Sequence, residues 1–357
     1  MAFPADSGHN NLPNGNFSPT IFSKKVQVAF RKATVVGNIT NSDYMGEISA
    51  MGDTVRIMKE PEIEVRNLER GTQLVTQDID DEDFQLVVDR ALYFQFGVDD
   101  IEAHHAHHNW MDISSNRAAY RMADQHDQEV LGYLSGYKQS AISTRADEVN
   151  DVVNGTKAVD TADNDELLPS MKLKKGDFGN ITTGSAGDHS IPVAARLPGA
   201  TALPTATVSP HMLVTRMAKL LNQQQVETSG RWLVIDSNIL EVLQDEDSRF
   251  LNSDYGETGG LRNGLIMNNW NGFRVYLSEN LPSIGTGAST GGTANQNENF
   301  GVIVAGHDSA VATAMQMQKT EKFRHPNFFK DMCRGMSLYG RKILRPEAIV
   351  TAKYNLA

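Results

Sequence analysis

Hydrophobic and polar residues alternate along much of the stretch between Gly52 and Glu102. The apolar members of this alternation are Val55, Ile57, Ile63, Val65, Phe94, Phe96 and Val98. Period-two alternation predicts strands with one buried and one solvated face. Because so long and charged a β-rich excursion is hard to bury within one globule, we interpret it as an arm that packs on a neighbouring subunit.

The charges of this excursion are mixed before its tip and acidic at the tip. We expect inter-subunit contacts from Arg56, Lys59, Glu60, Glu62, Glu64, Arg66, Glu69 and Arg70. The acidic run that follows comprises Asp78, Asp80, Asp81, Glu82 and Asp83. An EF-hand calcium loop needs a central Gly and a late Glu at fixed spacing, and this run has neither, so we interpret it as a solvated loop tip.

Helical spacing of apolar residues marks two segments in the first half of the chain. It predicts a helix over Phe22 to Val36 and a longer one from about Ser114 to Ile142. Residues 1–20 are rich in Asn, Gly, Pro and Ser and indicate a flexible arm. Residues 147–204 read as an irregular insertion, with local order expected at Leu167 to Leu173 and Gly176 to Ile181.

The pattern becomes clearer after residue 208. Ser209 and Pro210 predict the start of a helix, and Trp232 to Ile235 a short strand followed by a helix capped at 236–238. Asn271-Gly272 predicts a tight hairpin turn between strands at 264–268 and 273–277. Residues 285–299 indicate a surface loop, and 300–305, 310–316 and 342–354 are strand-like.

Composition narrows the function classes. The chain has 357 residues, 40% hydrophobic and 22% charged residues, and a formal net charge of −11. An acidic chain is a poor nucleic-acid binder, because binding requires Lys and Arg to neutralise phosphates. One cysteine, Cys333, allows no intrachain disulfide, and no signal-peptide pattern or membrane-length apolar run is present. These features favour a reducing cytoplasm and no membrane contact.

Two motifs in the second half carry a resemblance to a known family. The segment Arg231 to Leu251 reads strand, cap, helix and an Arg-Phe pair. Gly264, Ile266 and a Gly272-Phe273-x-Val275 strand follow, ending in Ser278-Glu279-Asn280-Leu281-Pro282. With the extended loop and long helix in the same order, the chain resembles the major capsid proteins of tailed bacteriophages, whose fold is called Hong Kong 97-like. The family usually has Ser and Asn adjacent, and here Glu279 intervenes.

The resemblance implies an α+β fold with an N-terminal arm at 1–45, an extended β-hairpin loop at 46–100, and a peripheral domain with a spine helix at 101–208. An axial α/β domain at 209–315 and a return to the peripheral domain at 316–357 complete it. It also implies pentamers and hexamers of this chain in an icosahedral shell that encloses double-stranded DNA without specific binding. A separate scaffolding protein and a portal would take part, a decoration protein could be added, and no cofactor would be used. Assembly would occur in the bacterial host cytoplasm.

Two other hypotheses stay open at this stage. One is an encapsulin-like shell of the same fold that encloses enzymes. The other is a metal-dependent enzyme that uses the cluster His104, His105, His107 and His108, since imidazoles at helical spacing can bind a metal. A zinc protease would need a Glu after the first His, and His105 occupies that position, so we interpret the cluster as structural.

Other candidate groups are also interpreted structurally. Asp99, Asp100 and Glu102 have no nucleophile beside them, and we expect them to start a helix or pair between subunits. Cys333 is expected to be a structural thiol. Basic residues near the C-terminus are expected to pair with acidic loops of other subunits rather than with DNA: Lys319, Lys322, Arg324, Lys330, Arg334, Arg341, Lys342 and Arg345.

Overall fold

The computed structural model describes most of the second half of the chain and parts of the first. The described ranges are 34–43, 54–58, 83–105, 110–136, 167–181, 190–194, 206–243, 270–281, 283–284 and 300–356, with positions 63, 65–67, 70–71, 73 and 76–77. The predicted helix at Phe22 to Val36 lies outside them except at its last three residues. There a short helix, α1, begins at Val36 and spans Val36–Ile39.

A six-stranded mixed sheet forms the larger unit. Its order is β4-β11-β8-β5-β6, and a short β7 also pairs with β8. The strands are β4 Ser190–Val193, β5 Arg231–Ile235, β6 Arg274–Leu277, β7 Ser283–Ile284, β8 Phe300–His307 and β11 Ile349–Leu356. β4 pairs with β11 and β5 with β6 in parallel, while β8 is antiparallel to both β11 and β5.

Both faces of this sheet are buried, which explains why β5 is an unbroken apolar run. Trp232 and Val234 point into one hydrophobic cluster, and Leu233 and Ile235 point into the other. The first cluster includes the end of the long helix, and the second includes the helix that follows Ser209. A continuous apolar run is the expected pattern for a strand covered on both sides.

The helix after Ser209 starts as the sequence predicts. It is α4, Pro210–Gln223, and the Ser209 hydroxyl accepts a hydrogen bond from the Met212 N–H. The next helix, α5 at Ser237–Leu243, begins where Asp236 accepts from the Ile239 N–H. Both caps satisfy N–H groups that the first helical turn leaves unpaired.

The Asn271-Gly272 turn is also confirmed. Both residues have positive φ, 52° and 84°, and Trp270 and Phe273 exchange two backbone hydrogen bonds across it. Positive φ at both central positions defines the tight turn that matches strand twist, and Asn-Gly is its preferred sequence. The strand predicted at 264–268 lies outside the described residues, as does the loop predicted at 285–299.

A three-stranded antiparallel sheet forms the second unit, in the order β3-β10-β9. Its strands are β3 Arg90–Asp99, β9 Val311–Arg324 and β10 Lys330–Ile343. In β3 the predicted alternation holds, with Phe94, Phe96 and Val98 half-buried and their neighbours exposed. α2, Asp100–His105, follows β3 directly.

The long helix α3 spans Trp110–Ser135, so it begins earlier and ends earlier than predicted. It stops because Gly136 adopts φ +69°, a left-handed conformation that suits a residue without a side chain. Residues 137–142, predicted as helix, lie outside the described part. Among the described helices, none is both long and apolar enough to cross a membrane.

The 147–204 segment is more ordered than predicted where the structure describes it. Short 3-10 turns at Pro169–Met171 and Lys175–Ile181 confirm the expected local order. β4 was not predicted, and it occupies an edge of the six-stranded sheet beside β11. β11 itself joins this sheet, whereas the predicted division places residues 316–357 with the peripheral domain; the remaining boundaries stay a prediction.

Candidate assembly surface

A two-stranded ribbon projects from the body at the place where the extended loop is predicted. β1 is Thr54–Met58 and β2 is Asp83–Val87, paired antiparallel with Met58 opposite Asp83. Its inner side chains pack on a small cluster at one end of β9. That cluster contains Leu86, Val88, Ala312, Ala314 and Leu344, with Val55 and Ile57 half-buried against it.

Beyond this base the apolar side chains are exposed. Met58 is 79% exposed, Ile63 68% and Val65 94%. The strand predicted at 62–66 is wrong at the positions described, because 63 and 65–67 lie in no strand. Alternation alone did not form a strand there: among the residues that the structure describes, none covers the side chains of Ile63 and Val65.

Three of the eight charged residues predicted to contact a neighbour are described. Arg56 lies in β1 with Nε 3.7 Å from Oδ2 of Asp83. Arg66 and Arg70 lie outside any strand and are exposed. The other five lie outside the described residues: Lys59, Glu60, Glu62, Glu64 and Glu69. The Arg56–Asp83 pair is largely exposed, so it contributes about 0–1 kcal/mol and fixes the ribbon register only weakly.

The outer face of the three-stranded sheet carries a charged triad beside apolar side chains. Glu321 receives hydrogen bonds from Lys319 and Arg334, and these two cations lower the pKa of Glu321 to about 2. Beside the triad, Tyr93 is 81% exposed and Met336 is 37% exposed. This face therefore combines fixed charges with accessible apolar surface, which is typical of the rim of a protein contact.

Several of the basic residues near the C-terminus have partners within their own chain. Arg324 pairs with Asp100 and Asp331, and Lys322 also reaches Asp331 at 3.6 Å. Together with the pairs that Lys319 and Arg334 make with Glu321, four of these cations therefore have carboxylate partners within the same chain. Arg341 instead donates to the backbone carbonyl of Glu129. Pairing of these residues with other subunits stays a prediction, although the β9–β10 hairpin brings acids of the same chain beside four of them.

The histidine cluster is only partly described. His104 and His105 lie in α2, with His104 exposed, while His107 and His108 fall outside the described residues. Within the described ranges, no three His, Cys, Asp or Glu side chains are grouped to hold a metal. Asp99 accepts from the Ile101 N–H at 2.9 Å, which confirms the expected helix-start role for this acid. The expected pairing of Asp99, Asp100 and Glu102 between subunits stays a prediction.

Cys333 lies in β10 and is 6% exposed. It sits between Phe96 on β3 and Lys322 on β9 in the sheet register. A buried thiol at this position behaves as a small apolar residue.

A buried carboxylate joins three parts of the subunit, and no pattern in the sequence marks it. Asp127 on α3 is 1% exposed and accepts hydrogen bonds from the Val35 and Val36 N–H groups at 2.8 and 2.9 Å. Its other oxygen accepts from the Asn280 amide at 2.9 Å. The carboxylate thus fixes the segment before α1 and the loop after β6 to the long helix.

A second buried acid, Asp236, is hydrogen-bonded to a strand of the six-stranded sheet. Asp236 accepts a hydrogen bond from the Tyr354 hydroxyl of β11, and burial raises the pKa of Asp236 above its ordinary range. Burial beside this acid likewise raises the pKa of Tyr354. A Cβ on Gly301 would lie 2.3 Å from the Tyr354 hydroxyl, so the strand needs glycine there. The pair acts structurally, linking the start of α5 to the last strand.

Solved structures resemble this chain over nearly its whole length. A structure from Mycobacterium phage Che8 is 20% identical and has a TM-score of 0.63. The alignment covers 95% of this chain and 97% of the chain in that structure. The capsid structure of the Cyanophage P-SCSP1u is 18% identical and has a TM-score of 0.61, and the alignment covers 98% of this chain and 96% of the other. The capsid of Ralstonia phage GP4 is 10% identical, with coverage of 97% and 98% and a TM-score of 0.59. No protein-family model and no curated protein sequence matches this chain.

The fold of this chain is therefore that of bacteriophage capsid structures. The mixed helices and sheets fit the Hong Kong 97-like arrangement, and the predicted α+β fold class is confirmed. The long helix α3 corresponds to the predicted spine helix, and the β1–β2 ribbon forms the base of the predicted extended loop.

Proposed function

We propose that this chain is the major capsid protein of a tailed bacteriophage, which assembles as many copies into an icosahedral shell around double-stranded DNA. The observation that carries the proposal is the likeness to capsid structures over 95% or more of the chain and of its neighbours. The likeness extends over nearly the whole length of this chain. The proposed role is structural rather than enzymatic.

The shape of the subunit supports this role. Two sheets share the helix α3, and buried groups such as Asp127 link its parts into a stiff body. Met58 at the end of the ribbon, and Ile63 and Val65 in the segment that follows it, have exposed apolar side chains. Apolar side chains grouped on an arm favour contact with another protein surface. Each such contact is modest, and a closed shell multiplies it through effective concentration.

The extended loop is proposed to lie on a neighbouring subunit. Every residue described between Glu60 and Gln77 is exposed, so the described positions of this segment add no core to their own chain. Mixed Arg, Lys and Glu side chains would set the register against the neighbour through charge-assisted hydrogen bonds.

Deleting Glu60 to Gln77 tests this role. We expect a folded subunit with near-normal thermal unfolding, since the deletion removes no described buried residue and leaves 59 and 78–82 to connect β1 to β2. We expect no closed shells in negative-stain microscopy. As a control, a Gly/Ser linker of equal length should also abolish closure if the side chains matter. Normal shells from the deletion variant, or an unfolded subunit, would show that the loop does not interlock subunits.

The partners follow from the same proposal. A separate scaffolding protein, a portal and optional decoration proteins would act with this chain, and DNA would be enclosed without specific binding. The net charge of −11 is consistent with a wall that does not hold DNA tightly. Assembly would take place in the host cytoplasm, and the mature location would be the virion.

The composition of the purified protein or particle distinguishes two alternative functions from the proposed one. An encapsulin-like shell would contain a cargo enzyme and no portal, whereas a phage shell takes up DNA through one. A metal-dependent enzyme would carry a stoichiometric transition metal on His104, His105, His107 and His108, which elemental analysis detects. We expect DNA-competent shells without bound metal, and Asn or Gln replacements of the four histidines that still assemble.

A further inference from the structure

The chain crosses between its two sheets twice within residues 300–356. The first crossing is the 3-10 turn Asp308–Ala310, between β8 and β9, and the second is 344–348, between β10 and β11. The Leu344 N–H donates to the Ala310 carbonyl at 2.8 Å. The two crossings therefore lie side by side, and we call them together the joint.

His307, the last residue of β8, fastens a neighbouring turn to this joint. Its Nδ1 accepts a hydrogen bond from the Ser309 N–H at 3.2 Å and lies 2.8 Å from the Ser309 hydroxyl. Its Nε2 lies 2.8 Å from the backbone carbonyl oxygen of Ser229, in the turn between α4 and β5. The Asp308 N–H donates to the Gly230 carbonyl of the same turn at 3.2 Å. One imidazole thus links the joint to the α4–β5 turn.

The α4–β5 turn is shaped to admit the imidazole ring. Gly230 has a φ of 75°, which is left-handed, and a Cβ there would lie 3.1 Å from Nε2 of His307. Arg231, the next residue, is 3% exposed and donates to the backbone carbonyls of Val226 and Glu227. The turn is therefore held from within by Arg231 and from the joint by His307.

The hydrogen-bond partners of His307 fit only the neutral imidazole. A backbone N–H can only donate, so Nδ1 carries no hydrogen, and a carbonyl oxygen can only accept, so Nε2 carries one. Protonation would place a hydrogen on Nδ1, facing the Ser309 N–H. The Ser309 hydroxyl can rotate to accept that hydrogen, whereas the backbone N–H cannot, so protonation removes the backbone contact.

The charges around the ring do not favour the protonated form. Arg231 lies opposite His307 in the β5–β8 register, and its buried guanidinium disfavours a second positive charge beside it. Asp308 is paired with Arg274 of β6, so its charge is already matched. Three cations and three acids lie on the elements that surround the ring: Arg231, Arg274, Arg345, Glu227, Asp308 and Glu347. These surroundings supply no net negative charge to hold an imidazolium in place.

We propose that His307 is a pH-sensitive clasp, which holds the α4–β5 turn to the joint while the ring is neutral and releases the turn when the ring is protonated. Free histidine takes up its proton near pH 6.5, so the release falls in mildly acidic solution. His307 is not a member of the two large buried clusters, so the release leaves those clusters intact. This inference concerns the single subunit and does not depend on shell formation.

Hydrogen exchange of the unassembled full-length chain tests the clasp. Amide protection, corrected for the intrinsic exchange rate, is compared at about pH 7.5 and about pH 5.5. We expect the protection of the Asp308 and Ser309 amides to fall roughly tenfold relative to the amides of β5 at the lower pH. Unchanged relative protection at these two amides would overturn the proposal, and this measurement needs no variant.

Two substitutions assign the response to one ring. His307→Asn keeps a side-chain acceptor for the Ser309 N–H, since Asn is a good helix cap, but it cannot titrate. The relative protection of Ser309 in this variant should be the same at both pH values. His325→Asn is the matched control, because Nδ1 of His325 also accepts a backbone N–H, from Asn327 at 3.1 Å, but in the connection between β9 and β10.

The control variant should respond to pH as the natural chain does. An equal fall of protection in His307→Asn would show that another group senses the pH, and the clasp would be refuted. Loss of the response in His325→Asn would refute it as well, because the sensor would then lie in the β9–β10 connection.

Discussion

Replacing Asp127 with alanine should be among the most damaging single changes in this chain. The carboxylate is 1% exposed and accepts three hydrogen bonds, from the Val35 N–H, the Val36 N–H and the Asn280 amide. Alanine would leave these three donors without their acceptor in the interior. The change therefore acts on the segment before α1 and on the loop after β6 at once.

The magnitude follows from the three donors. A buried donor left unpaired costs about 1–3 kcal/mol, and partial entry of water lowers the sum, so we expect a loss of about 3–5 kcal/mol. Asp124 provides a matched control on the same helix. It is 2% exposed, but its partner Arg121 is 64% exposed at 3.1 Å, so Asp124→Ala should cost about 1 kcal/mol or less.

Denaturant unfolding and hydrogen exchange measure the effect. Asp127→Ala should lower the unfolding midpoint far more than Asp124→Ala, and the Val35 and Val36 amides should lose their protection from exchange. Asp127→Asn with Asn280→Asp restores one side-chain hydrogen bond and should recover part of the loss. Equal costs for the two alanine variants, or unchanged protection at Val35 and Val36, would refute the reasoning.

Two further predictions concern pH and packing. Burial lowers the pKa of His126 below its ordinary value near 6.5, and the positive charge of Arg341 lowers it further. The negative charges of Asp127 and Glu129 act in the opposite direction but do not outweigh burial. The Tyr339 ring packs edge-on against the His126 ring. A lowered His pKa contributes stability that is present above pH 6.5 and lost as the pH falls through the folded-state pKa. His126→Gln should therefore flatten the fall in melting temperature below pH 6.5, and an unchanged slope would contradict this. Gly340→Ala would place a Cβ 2.4 Å from the Val87 carbonyl oxygen and should cost about 1–3 kcal/mol by moving the ribbon, whereas Gly37→Ala, with open space, should be neutral in the same thermal unfolding assay.

Local signals in the sequence predicted the elements whose structure is decided locally. The Ser209 cap, the Asn271-Gly272 turn and the apolar run of β5 each depend on neighbouring residues, and each is confirmed. The long helix was found, although its end depends on the left-handed conformation of Gly136. Helix ends are set by one residue and are harder to place than the helix itself.

Elements that depend on distant partners were not predictable in the same way. β4 is a four-residue strand whose pairing is with β11, more than 160 positions later. β9 continues to Arg324 through polar residues, because its partner β10 and not its own pattern holds it in the sheet. Ile63 and Val65 show the converse, since alternation without a partner surface made no strand.

The buried acids were missed for the same reason. Asp127 looks like an ordinary polar residue in the sequence, and Asp236 was predicted only as part of a helix cap. The roles that were missed arise from donors more than 90 positions away. The intrachain pairs of the basic residues were likewise not predicted, because the hairpin register places Glu321 and Asp331 beside them.

The central claim is that this chain builds a closed shell, and electron microscopy of the purified full-length chain with its scaffolding protein tests it most directly. The proposal predicts closed icosahedral particles, tens of nanometres across, whose walls are made of this chain. Stable monomers or open aggregates under these conditions, with the subunit folded, would contradict it.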